Sequence, residues 1–141
     1  MKANELSAKD LMIGDWVCLP SIMSADKYQV EVLEIQDDCI KSYVGGKKMM
    51  VRFKYIEPIP LTPEILEKNG FEDIGDDTYQ LEENPCWFWV DFFRHNYGCE
   101  YDTSTYEYED SEHRLKLYGI PSVHELQHAL RLCGIEKEIE L

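Results

Sequence analysis

The chain has 141 residues, 44% of them hydrophobic and 30% charged, with a formal net charge of −14. This is the balance of an ordinary globular domain, able to bury roughly 68% of its unfolded surface without help from disulfides or metals. It excludes a membrane-spanning helix, because no run of 18 apolar residues occurs.

The charge is unevenly placed. Residues 1–56 hold 8 acidic and 8 basic side chains, residues 57–110 hold 15 acidic ones against Lys68 and Arg94, and residues 111–141 hold 5 and 4. Binding nucleic acid or an anionic membrane depends on Lys and Arg neutralising phosphates, so neither is an expected partner. The cluster Lys47, Lys48, Arg52 and Lys54 is the one place where a phosphate contact is conceivable. The opening MKANELSAKD lacks the apolar stretch of a signal peptide. Cys18, Cys39, Cys86, Cys99 and Cys133 contain no C-x-x-C pair. They read as reduced thiols packed as small core residues in a cytoplasmic protein.

In chain order, LMIGDWVCLP (11–20) is a Gly-Asp turn feeding a strand around Trp16 to Leu19. YQVEVLEI (28–35) alternates as a strand, and CIKSYV-GG-KKMMVRF (39–53) is a hairpin about Gly45-Gly46. Residues 1–60 are therefore expected to form an SH3-like or small β-barrel lobe. LTPEILEKNGF (61–71) predicts a short helix, with Thr62 as N-cap, Pro63 at the first helical position and Asn69-Gly70 ending it. The rest of residues 61–141 reads as an antiparallel meander of TYQLE (78–82), CWFWVDFF (86–93), a strand within 99–110 and HRLKLYG (113–119), with a turn at HNYG (95–98). A C-terminal helix and a last edge strand in IEKEIEL follow. The expected fold is α+β with β predominant, the two parts sharing one compact unit.

CWFWVDFF is the most unusual composition. On one strand, Trp87, Trp89 and Phe93 would share a face, with Phe88, Val90 and Phe92 on the other. Either the strand is central and buried on both sides, or the Trp87, Trp89 and Phe93 face is offered to a protein partner or to a second copy of the chain.

HELQH (124–128) matches the H-E-x-x-H pattern, in which two histidines one turn apart bind zinc and the glutamate activates a water. At 100° per residue, Val123, Leu126, Ala129, Leu130 and Cys133 form one apolar stripe, and His124 and His128 fall on the opposite face. A third ligand is missing, because Arg131 and Gly134 stand where the extended motif needs Gly and His. Ser122-x-x-Glu125 reads instead as a capping box. Cys86, His95 and Cys99 would come together across a hairpin at HNYG, but their spacing matches no structural zinc pattern. The carboxylate pairs Asp76-Asp77, Glu82-Glu83 and Glu109-Asp110 read as solvated. No catalytic, cofactor-binding or metal-ligating residue is expected, and no cofactor.

LMIGDWV (11–17), YIEPIPLTPEILEKNGFE (55–72) and VHELQHALRLCGIEKEIEL (123–141) together resemble a group of small proteins from Bacteroides-type gut bacteria, their phages and their conjugative elements. In that group an opening LRIGNWV, a central I-x-PIPLT and a closing VHQLQN recur in the same order. Gln and Asn stand there at the places of Glu125 and His128, so the metal motif is not a property of the group. The resemblance implies no activity or cofactor. The function expected is that of a non-enzymatic accessory or interaction protein of mobile-element origin, acting through protein contacts. The alternatives are an enzyme without a recognisable motif and an acidic DNA mimic.

Overall fold

The computed structural model describes residues 6–20, 27–83, 86–101 and 114–141. It is α+β and predominantly β, with three antiparallel sheets and two α-helices among those residues. The chain divides into two units: Met1–Pro60 with Ser122–Glu125, and Leu61–Pro121 with Leu126–Leu141.

The first unit contains β1 (Trp16–Pro20), β2 (Lys27–Glu31), β3 (Glu34–Ile35), β4 (Cys39–Val44), β5 (Lys47–Arg52) and β6 (Glu57–Pro58). They form two three-stranded sheets, β2-β1-β6 and β3-β4-β5. The stretch 28–35, expected as one strand, is split because its backbone changes partner midway. The Val32 N–H donates to the Asp15 carbonyl at 2.8 Å and the Leu33 N–H to the Lys41 carbonyl at 2.9 Å, so each half joins a different sheet. Gly45 and Gly46, with φ of 59° and 84°, make the tight turn between β4 and β5 that the glycine pair predicts. Val17, Val30, Val32, Ile40, Val51, Phe53 and Ile56 are the centre of an aliphatic core. The expected SH3-like or small-barrel lobe is met only in its strands. The strands are present, but among the described residues the two sheets form no closed barrel.

The second unit contains α1 (Pro63–Lys68) and the strands β7 (Glu72–Gly75), β8 (Thr78–Glu83), β9 (Cys86–Asp91), β10 (Asn96–Tyr101) and β11 (Arg114–Tyr118). The last helix, α2 (Val123–Leu132), has its first turn in the first unit and its remainder in the second. The Thr62 hydroxyl accepts the Ile65 N–H at 3.3 Å, and Gly70 leaves α1 with φ of 87°, as the cap and stop signals require.

The five strands form one antiparallel meander in the order β11-β10-β9-β8-β7. β7 has no alternating pattern in its sequence, EDIG. It is created by Asp76 and Asp77, which take φ of 53° and 56° and fold it back on β8. Two expectations change. The β9–β10 turn is Phe92–His95 rather than HNYG, so Asn96, Tyr97 and Gly98 belong to β10. The final IEKEIEL is not a strand. Its backbone is held by two side chains: the Asn69 amide donates to the Glu140 carbonyl at 2.7 Å and accepts the Glu140 N–H at 2.8 Å, and the Lys68 ammonium donates to the Leu141 carbonyl. The expected strand within 99–110 is described only as far as Tyr101; residues 102–113 lie outside the described ones.

Tyr79, Leu81, Cys86, Phe88, Val90, Tyr97 and Cys99 are buried along β8, β9 and β10, and Leu126, Ala129, Leu130 and Cys133 are buried along and just after α2. Phe88, fully buried, meets the Phe71 ring edge-on at 6.2 Å. The thiols are not all reduced, as composition suggested. Cys99 on β10 is bonded to Cys133, while Cys18, Cys39 and Cys86 are free and buried. Spacing gave no hint of this pair, because 34 residues separate two cysteines that only the packing of the meander and α2 brings together.

Closing a loop of that length removes unfolded-chain entropy equivalent to about 4 kcal/mol in the chain-entropy account. Reduction, or the double change Cys99→Ser and Cys133→Ser, should therefore lower unfolding stability by about 2–4 kcal/mol. Thiol titration of the denatured, unreduced chain should find the three free cysteines and, after reduction, all five.

Candidate functional site

Because side chains alternate along a strand, β9 divides its residues between two environments. Cys86, Phe88 and Val90 are buried, whereas Trp87 and Trp89 are half-buried on the other face. The neighbours on that second face follow from register. Opposite Trp87 stand Glu82 and Glu100, opposite Trp89 stand Gln80 and Gly98, and opposite Asp91 stand Thr78 and Asn96. Beyond Gly98 on β11 is Lys116.

All of these except Glu82 and Gly98 line an open hollow of about 560 Å³, with Trp87, Trp89, Gln80, Asn96, Glu100 and Lys116 around it. A Cβ at position 98 would run into the Leu115 carbonyl of β11, so only glycine lets the two strands lie this close. No side chain rises between Trp89 and Lys116, and the face is recessed there. The Trp89 indole N–H donates to the Asn96 side-chain oxygen at 2.8 Å, which fixes the ring diagonally across the β9–β10 pair.

Asp91 closes the end of the hollow. One carboxylate oxygen accepts the Phe93 N–H at 3.0 Å and the Arg94 N–H at 2.8 Å, and the other pairs with the Arg94 guanidinium at 3.2 Å. Burial opposes its ionisation, but the Arg94 and Phe93 N–H groups and the guanidinium outweigh that, and Asp91 titrates below the ordinary carboxylate range. This turn also corrects the expected aromatic face. Trp87 and Trp89 do share it, but Phe93 has left the strand. It sits in the Phe92–His95 turn, 70% exposed, with the Arg94 guanidinium 5.8 Å from its ring centre. The strand ends two residues earlier than its composition suggests because Asp91 caps the turn.

The zinc-motif residues lie elsewhere. The apolar stripe of α2 is buried as the helical wheel predicts, but His124 and Gln127 are buried too, and His128 is half-buried. The first turn of α2 is covered because Pro60 pairs with Ser122 and the Val123 N–H donates to the Ile59 carbonyl at 2.9 Å. The Ser122 hydroxyl lies 3.1 Å from Nδ1 of His124 and donates to the Glu125 carboxylate at 2.8 Å, and that carboxylate also accepts the Ser122 N–H at 3.1 Å. Glu125 is therefore engaged at the helix start, as the capping-box reading requires. Among the described residues no three His, Cys, Asp or Glu side chains are grouped to hold a metal. Cys86, His95 and Cys99 do not converge: Cys86 pairs with Tyr101 at the far end of the β9–β10 ladder from His95, and Cys99 is bonded to Cys133. Burial also pushes the Cys86 thiol above its ordinary pKa, which leaves it protonated at neutral pH.

Sequence reasoning singled out the two tryptophans but not Gln80, Asn96, Gly98, Glu100 or Lys116. Their signal is the strand register, which needs the position of the β9–β10 turn. Compared with known proteins, the chain matches no family model, no curated protein and no solved structure.

Two outcomes test this geometry. Asp91→Asn should cost about 1–3 kcal/mol at neutral pH, by weakening hydrogen bonds to a buried charged group. Since the folded pKa of Asp91 is depressed, the ionised form's contribution is complete above the unfolded value near 3.9 and is lost as pH falls through the folded one. The gap between the two proteins should therefore close below about pH 4 in urea titrations. At the helix start, Ser122→Ala should cost about 0.5–2 kcal/mol. His124→Gln should cost more than His128→Gln, because His124 is buried and His128 half-buried. Equal costs at 124 and 128 would contradict the buried position of His124.

Proposed function

We propose that this chain is a non-enzymatic interaction protein, an accessory of a mobile genetic element, that works by binding through the Trp87 and Trp89 face of its five-stranded sheet. One observation carries the reading: two indoles stand half-exposed around an open hollow built on regular strands. Aromatic side chains give large contact area at low entropic cost and dominate recognition surfaces. The net charge of −14 favours a partner other than nucleic acid. The resemblance of the three stretches in residues 11–17, 55–72 and 123–141 supports the mobile-element origin. The Cys99–Cys133 bond favours an oxidising compartment over the cytoplasm expected from the sequence, because disulfides persist where thiols are not kept reduced.

The test is affinity capture from the source organism with the immobilised chain, compared with Trp87→Ala and Trp89→Ala and read by mass spectrometry. A partner retained by the natural chain and lost from both variants is expected, with unfolding midpoints showing that the variants remain folded. A partner retained equally by all three would place the working surface elsewhere.

A further inference from the structure

Resting on that reading, we infer that the hollow takes an uncharged, polyhydroxylated ligand: the pyranose units of a neutral glycan, stacked on Trp87 and Trp89. Four features of the site lead there.

The hollow lies on a sheet face. β9 is paired along its whole length with β8 and with β10, so its backbone N–H and C=O groups are committed to the ladders. A ligand on this face must be recognised by side chains alone, which disfavours an extended peptide added as a strand.

The charges around the hollow cancel. Asp91 and Glu100 are balanced by Arg94 and Lys116, and Asp91 and Arg94 are paired with each other. A polyanion meets the repulsion of a chain at −14, and the hollow itself, with its charges balanced, offers a polycation no net negative charge to pair with. A neutral ligand meets neither.

The remaining chemistry is amphipathic in the way a sugar ring is. A pyranose has an apolar C–H face and a rim of hydroxyls. The indoles offer flat apolar surface, and Gln80, Glu100 and Lys116 offer donors and acceptors beside it. Trp87, half-buried opposite Glu100, adds a second ring and an indole N–H donor to this face. Trp89, already held by Asn96, is oriented before any ligand arrives, which lowers the ordering cost of binding.

The size also suits. The open hollow amounts to about 560 Å³, within the roughly 300–1,000 Å³ of small-molecule sites.

The experiment titrates short neutral oligosaccharides of gluco, manno and galacto configuration into the full ¹⁵N-labelled chain and follows the three indole N–H resonances. Expected is a series that shifts the signals of Trp87 and Trp89 but not Trp16, with half-saturation at about 1 mM or tighter. Trp87→Ala should weaken binding about tenfold. Gln80→Ala, at a half-buried site whose loss spares the fold, should weaken it about threefold or more. A glycoprotein and its enzymatically deglycosylated form, run beside a free polysaccharide, separate a protein-borne glycan from a free one. If no sugar moves the Trp87 and Trp89 signals, or if a proline-rich peptide moves them instead, the inference is overturned. The wider reading then stands or falls separately, on whether a protein partner is captured in a Trp87- and Trp89-dependent way.

Discussion

The two-residue period of β9 is the constraint from which the second unit follows. Cys86, Phe88 and Val90 point one way and are 3%, 0% and 0% exposed, which fixes which face of the meander is the core. A slip of one residue would bury Trp87 and Trp89 instead and expose Phe88 and Val90. Removing a fully buried aromatic such as Phe88 costs about 3–5 kcal/mol, so register is strongly enforced. Once it is, the alternate residues have no choice but to stand on the other face. The hollow is a consequence of core packing.

How much of this was legible in the sequence depended on the range of the interaction. Local signals read well: Thr62-Pro63 and Asn69-Gly70 delimit α1, Gly45-Gly46 turns the β4–β5 hairpin, and Ser122 with Glu125 starts α2. Each acts within about four residues, and a cap or turn residue works through backbone groups next to it. Non-local features were missed. β7 is a strand only because the Asp76-Asp77 turn delivers it to β8. The Cys99–Cys133 bond depends on tertiary packing, and His124 is buried because residues 59 and 60 cover the first turn of α2. A helical wheel assumes a single buried stripe, so it fails wherever a second segment packs on the other side.

The Asp91 turn lies between these cases. Asx-type capping is a local signal, and Asp91 sits in a run of aromatics where a charge is out of place. The hydrophobic pair Phe92-Phe93 masks it in the sequence by continuing the strand pattern past Asp91. Both differences at this turn have that one cause: Phe93 lies off the tryptophan face, and the turn is Phe92–His95 rather than HNYG. The correct turn turns Asn96, Tyr97 and Gly98 into strand residues, and only then do Asn96 and Gly98 become neighbours of Trp89.

Shape, rather than reactivity, is what the devices around the hollow produce. Gly98 permits the close approach of β10 and β11 and leaves the recess. Asn96 holds Trp89 through its indole N–H, and Asp91 holds the turn that brings Asn96 back beside it. Each fixes a position by hydrogen bonds or by the absence of a side chain, and all of them sit on or next to regular strands. Asp91 is driven further into its ionised state by the backbone it caps, and Cys86, facing the core, further into its protonated one. An aromatic recess in which Trp89 is already held by Asn96 is suited to holding a ligand, because part of the cost of ordering the site has been met in folding.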